Sequence, residues 1–194
     1  MSSESRVKIR SPLQSDAVGK EAAEHVDPEP FRKAVAALRS RINRLGVERC
    51  WWACEILRLV HDNVSYDETV GANFNRGPVK TWNRGGNCVD QSVLLASMLK
   101  AAGFRCRLTT VHHGEEGHMY LEVLFEAELD ELRDSIQNYL STKDKSPLHR
   151  MFGHTEVDNG VWMIADPTCS RFIGDAAGVY QEGYTAGFFD RQEV

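Results

Sequence analysis

The strongest constraint on this chain is the run from Gly85 to Gly103. Gly85, Gly86 and Asn87 lead into Val89–Ala102, where Val93, Leu94, Met98 and Leu99 recur three and four apart, and Gly103 follows as a left-handed stop. This pattern predicts a helix, the most hydrophobic of the chain, around which the remaining elements have to pack.

What surrounds it alternates in character. From Pro30, the residues Phe31, Val35, Leu38, Ile42 and Leu45 form an amphipathic helical period that ends at Gly46. A second helix spans about Val47 to Asn63 and turns Trp51, Cys54, Ile56 or Leu57, and Val60 inward. Phe104–His112 and Met119–Phe125 are rich in β-branched and aromatic residues, and the polar turn His113–Gly117 joins them as an antiparallel hairpin. Ala127–Leu140 reads as helix and Val161–Ala165 as strand, while Gly174, Gly178, Gly183 and Gly187 break the final segment into short pieces. Residues 1–28 are polar and without a sustained apolar period, which predicts a flexible tail before a single domain at 29–194. Asp67–Asn87, with Gly71, Gly77, Pro78, Gly85 and Gly86, reads as an irregular loop of the long kind that often carries function.

Composition narrows the class. The 194 residues are 42% hydrophobic and 26% charged, the balance of a soluble globular domain, and a net charge of −5 argues against nucleic acid as a partner. Arg39, Arg41 and Arg44 read as one solvated helix face. With no run near ~20 apolar residues and no signal-peptide core at the start, the expectation is a cytoplasmic protein without a membrane partner. Cys50, Cys54, Cys88, Cys106 and Cys169 are an odd set, which disfavours a disulfide framework. Cys50 and Cys54 lack a second ligand pair and read as buried thiols, so no metal or other cofactor is expected. Asn63-Val64-Ser65 is a glycosylation sequon with no secretory route to use it.

The chemistry gathers at Cys88. A thiol where a glycine turn feeds a helix N-terminus meets about half a positive charge, which favours the thiolate. The free amide of Cys88 can donate to a developing oxyanion. His118 opens a strand after a glycine turn and Asp166 closes another just before Pro167, so an imidazole and a carboxylate can converge on the thiol as base and orienting partner. His61, His112, His113, His149 and His154 read as structural.

Three segments carry a family resemblance. Gly86-Asn87-Cys88-Val89-Asp90 with the helix ending Leu99–Arg107, His118-Met119-Tyr120-Leu121-Glu122-Val123, and Val161–Thr168 resemble, in the same order, the nucleophile helix, histidine strand and aspartate strand of the transglutaminase-like superfamily. With Val64-Ser65-Tyr66 and the helix before it, the likeness covers about residues 48–126 and 160–170. It implies an α+β, papain-like fold in which the nucleophile helix packs on an antiparallel sheet or small barrel. It also implies Cys88 as nucleophile, His118 as general base and acid, and Asp166 as the orienting carboxylate. Asp90 and Glu122 stand where the family commonly has acids. The departure is a helical insertion, 127–159, between the histidine and aspartate strands, expected to serve as a lid or partner-binding element.

The oxyanion hole is expected from the Cys88 amide, with Trp82 or Asn83 as a side-chain donor. The expected reaction is hydrolysis of an amide bond in a peptide or protein through a Cys88 thioester, in the manner of a protease or amidase. The alternatives are amine transfer, as in a transglutaminase, and an inactive peptide-binding module using the same cleft. Calcium regulation is disfavoured by the lack of an EF-hand pattern. A redox pairing of Cys88 with Cys169 or Cys106 is a third reading.

Overall fold

The fold is that of a computed structural model, which describes residues 7–8, 12–43, 49–67, 76–113, 116–143, 152–176 and 190–194. Its helices are α1 (Pro12–Glu24), α2 (Arg32–Asn43), α3 (Arg49–Asn63), α4 (Pro78–Arg84), α5 (Cys88–Ala101) and α6 (Leu129–Lys143). Its strands are β1 (Val7–Lys8), β2 (Arg105–His113), β3 (Glu116–Phe125), β4 (His154–Val157), β5 (Gly160–Ala165) and β6 (Asp190–Glu193). Leu45, Gly46, Gly71, His149, Gly178, Gly183 and Gly187 lie outside the described residues, as do the side chains of Ile42, His112 and His113.

The predicted apolar helix is α5, and it is buried from Cys88 through Leu99. Asn87 caps it reciprocally with Asp90: Asn87 Oδ1 accepts from the Asp90 amide at 3.1 Å and Asp90 Oδ2 from the Asn87 amide at 3.3 Å. At the far end Gly103 adopts φ 80° and the Phe104 amide reaches back to the Leu99 carbonyl at 3.0 Å, closing the helix in a Schellman arrangement.

One face of the sheet rests on α5. In β3, Met119, Leu121, Val123 and Phe125 join the core with Val93, Leu94 and Leu99, whereas Tyr120 lies on the opposite face with Val111, Ile164 and Ala176. The sheet is open, in the order β4-β5-β3-β2-β6, so of the sheet or barrel expected it is the sheet. β3 is already paired along Leu121–Phe125 with β5 and along its whole length with β2, and β1 meets only its start, at Gly117 and Glu116.

Three readings of the sequence change. The segment taken as a tail contains α1, whose Val18 and Ala22, one turn apart, are buried in the core; two apolar positions among charges make a period too weak to notice. The loop before Cys88 contains α4, because Pro78 follows Gly77 at the first helical position, where its fixed φ and missing N–H cost nothing. The insertion contributes to the core: Leu132, Ile136, Tyr139 and Leu140 of α6 are buried, and Cys50 and Trp51 of α3 bond Ser135 at 2.7 and 2.9 Å.

Candidate active site

The turn before Cys88 is fixed by contacts that leave no room for side chains. Tyr66 and Gly86 form a parallel bridge in which the Gly86 amide donates to the Ser65 carbonyl and the Asp67 amide to the Gly86 carbonyl, both at 3.1 Å. Gly85 sits at φ 79°, where a Cβ would collide with Ser65, and a Cβ on Gly86 would collide with Asp90. Gln91 Nε2 adds a bond to the Gly86 carbonyl at 3.0 Å. The sulfur therefore enters the site from the first residue of α5, with its direction set by the glycine turn.

His118 lies inside β3 and Asp166 one residue past β5. Leu121 pairs with Ala165, so continuing the register puts Asp166 across from Tyr120 and diagonal to His118. His118 Nε2 and Asp166 Oδ2 are 2.5 Å apart. The Cys88 side chain is the other polar neighbour of the ring and adds to the upward push on its pKa. Cys88, His118 and Asp166 thus come together, at exposures of 1%, 15% and 0%.

Burial alone would keep the His118 ring neutral, but the charge and hydrogen bond of Asp166, with the contact to Cys88, hold its pKa well above the ordinary value. Burial likewise opposes ionisation of Asp166, and the His118 charge and the surrounding donors outweigh it, lowering that carboxyl to about 2. Its donors fill both oxygens: Thr168 gives Oδ1 its amide at 2.9 Å and its hydroxyl at 2.6 Å, and the Cys169 thiol reaches Oδ2 at 3.1 Å. The carboxylate cannot rotate without breaking bonds.

Of the expected oxyanion side chains, Asn83 is turned back on its own helix. Trp82 packs against the core, and Asn83 is exposed with Nδ2 bonded to the Val79 carbonyl at 2.9 Å, within its own helix. The residue the sequence reading passed over is Tyr66. Its hydroxyl lies beside both the backbone amide and the side chain of Cys88; burial and then the Cys88 side chain push its pKa upward against the pull of the amide, so it stays protonated. Tyr66 closes the short extended piece after α3, and the bridge to Gly86 carries it to the thiol.

Neither family-position acid reaches the thiol. Asp90 holds the turn, and Glu122 is consumed by Arg107 at 2.6 Å, Thr109 at 2.9 Å and Arg191 at 3.1 Å. Cys54 and Cys106 are buried and burial raises both thiols, Cys106 to about 12.

Helices over one face of an open antiparallel sheet, with a cysteine at a helix N-terminus against a histidine and an aspartate from neighbouring strands, define an α+β protein of papain-like architecture. Residues 52–167, more than half of the chain, match the transglutaminase-like superfamily, and the chain belongs to it. No curated protein matches. Among solved structures, a candidate cysteine protease from Cytophaga hutchinsonii aligns over 97% of this chain at 12% identity with a TM-score of 0.39. The chain spans 57% of that structure's length.

Proposed function

We propose that the chain is a cysteine hydrolase of amide bonds in peptides or proteins, with Cys88 as nucleophile, His118 as general base and acid, and Asp166 as the residue that orients the ring. The observation that carries this reading is the position of His118, bonded through Nε2 to a buried carboxylate at 2.5 Å with the Cys88 side chain beside the ring.

In the first step sulfur attacks the substrate carbonyl carbon as the thiolate, its proton held on the His118 ring, whose pKa Asp166 keeps high. The charge that develops on oxygen is held by the Cys88 amide and the Tyr66 hydroxyl, which already meet in the resting site. His118 then returns the proton to the departing nitrogen, the C–N bond breaks and a thioester remains. Water, deprotonated by His118, attacks the thioester, and the C–S bond breaks to release a carboxylic acid and the thiol. Asp166 keeps its proton off throughout, consistent with a carboxyl pulled down to about 2.

The test is trapping of the acyl-enzyme. A peptide library of amide and ester donors, followed by intact-mass measurement, is expected to add one acyl group to Cys88 in the wild type and none in Cys88→Ala. Omission and addition of a primary amine then separates hydrolysis from transfer. No acylation of Cys88 by any donor would leave the peptide-binding module as the better description.

A further inference from the structure

A second site is assembled on the side of the insertion. A cavity of 290 Å³ lies between α3, α6 and the segment after Asp166, lined by Arg58, His61, Asp62, Tyr139, Lys143 and Arg171. The insertion supplies one of these walls, α6 with Tyr139 and Lys143, so the cavity belongs to what distinguishes this chain rather than to the scaffold it shares.

Its charge is not balanced internally. Arg58 pairs with Asp62 at 3.1 Å and Lys143 with Glu55 at 2.5 Å, whereas the Arg171 guanidinium has no partner among the described residues. Three cations against two carboxylates leave one positive charge in excess, and protonation of His61 would add a second. Tyr139 lines the same wall, and its buried hydroxyl stands near Glu55 and Arg58 with no partner at bonding distance. The Arg171 guanidinium and the Tyr139 hydroxyl are donors with no acceptor at bonding distance among the described residues, and the Lys143 ammonium has N–H groups beyond the one it gives Glu55, the reverse of what a cation site needs.

Size and charge select among anions. At roughly 30 Å³ per water in the liquid, the space holds about ten non-hydrogen atoms. A carboxylate carries one negative charge, whereas a phosphate monoester carries about −1.5 to −2 at neutral pH and three acceptor oxygens, enough for the Arg171 fork and Lys143 together. We infer that this cavity binds a small phosphate monoester, gripped between Arg171 and Lys143. His61 Nδ1 lies 3.1 Å from the Pro167 carbonyl, next in sequence to Asp166, so the site also abuts the loop that carries the orienting carboxylate.

The test is titration of the full chain, followed by amide NMR, with inorganic phosphate, O-phosphoserine and, as a carboxylate control, succinate. O-phosphoserine is expected to bind at about a millimolar or tighter, with shifts centred on Arg58, His61, Lys143 and Arg171, and succinate about tenfold more weakly. Arg171→Gln and Lys143→Gln are each expected to weaken phosphate and O-phosphoserine by about tenfold while the rate of Cys88 alkylation stays at the wild-type value, which reports an intact fold. The inference is overturned if neither phosphate probe saturates the protein by about 20 mM. It is overturned equally if succinate binds as well as O-phosphoserine, or if both variants bind as the wild type does.

Discussion

The Arg76 amide donates to Asp90 Oδ1 at 2.7 Å, tying the segment before α4 to the first turn of the helix that bears Cys88. The other oxygen of Asp90 takes the Asn87 amide, so one buried carboxylate fastens two backbone donors. Asp90→Asn would turn an N–H toward one of them, and an unmatched buried donor costs about 1–3 kcal/mol. The expected outcome is a lower urea midpoint of unfolding at unchanged slope. An unchanged midpoint would mean that the turn does not depend on this clasp.

Cys88 is expected to react with iodoacetamide faster than Cys54 and Cys106, whose thiols burial raises. Mapping by peptide mass across pH reads each site separately. His118→Ala is expected to slow Cys88 by at least about tenfold, because the base is gone. Equal rates at Cys88 and Cys106 would remove the nucleophile assignment.

Tyr66 separates two effects of one side chain. Tyr66→Phe keeps the ring but removes the hydroxyl, so amide turnover is expected to fall about 10²-fold, the scale of losing one oxyanion donor. Alkylation of Cys88, which develops no oxyanion, is expected to hold its rate. A parallel loss in both assays would instead make Tyr66 a positioning residue for the thiol.

The pH dependence follows from the His118–Asp166 pair. The pKa of His118 is raised in the fold, so its contribution to stability is complete below its ordinary 6.5 and is lost as pH rises through the folded value. That of Asp166 is lowered, so its contribution is complete above 3.8 and is lost as pH falls toward about 2. Urea midpoints across pH are expected to fall on both sides of this window in the wild type, and more shallowly in Asp166→Asn. In that variant an imidazole titration by NMR is expected to show the His118 midpoint moved down.

The insertion is expected to behave as core. Ile136 is fully buried, and Ile136→Ala should cost about 2–4 kcal/mol in equilibrium unfolding. A change below about 0.5 kcal/mol, the scale of a surface substitution, would restore the insertion to the status of a decoration.

The three residues of the site were readable because each stands at a local punctuation mark: Cys88 after a glycine pair, His118 after a glycine turn, Asp166 before a proline. Such marks are set by backbone geometry and survive without knowledge of the fold. Tyr66 was not readable, since nothing local distinguishes it; its role depends on a bridge to Gly86, twenty residues on. Asn83 misled because nearness in sequence to Cys88 was taken for nearness in space, and α4 turns it back onto its own backbone. α1 escaped because a helix that buries Val18 and Ala22 among charged neighbours is held by the rest of the protein more than by its own pattern. β4 escaped because its alternation is blunted, none of its four residues being fully buried.

The pairing of Leu121–Phe125 with Val161–Ala165 is what brings His118 and Asp166 face to face. Between those two strands the chain adds the buried face of α6 and the edge strand β4, which pairs with β5. The detour is thus a brace behind the carboxylate, and whatever loosens it reaches the histidine through β5.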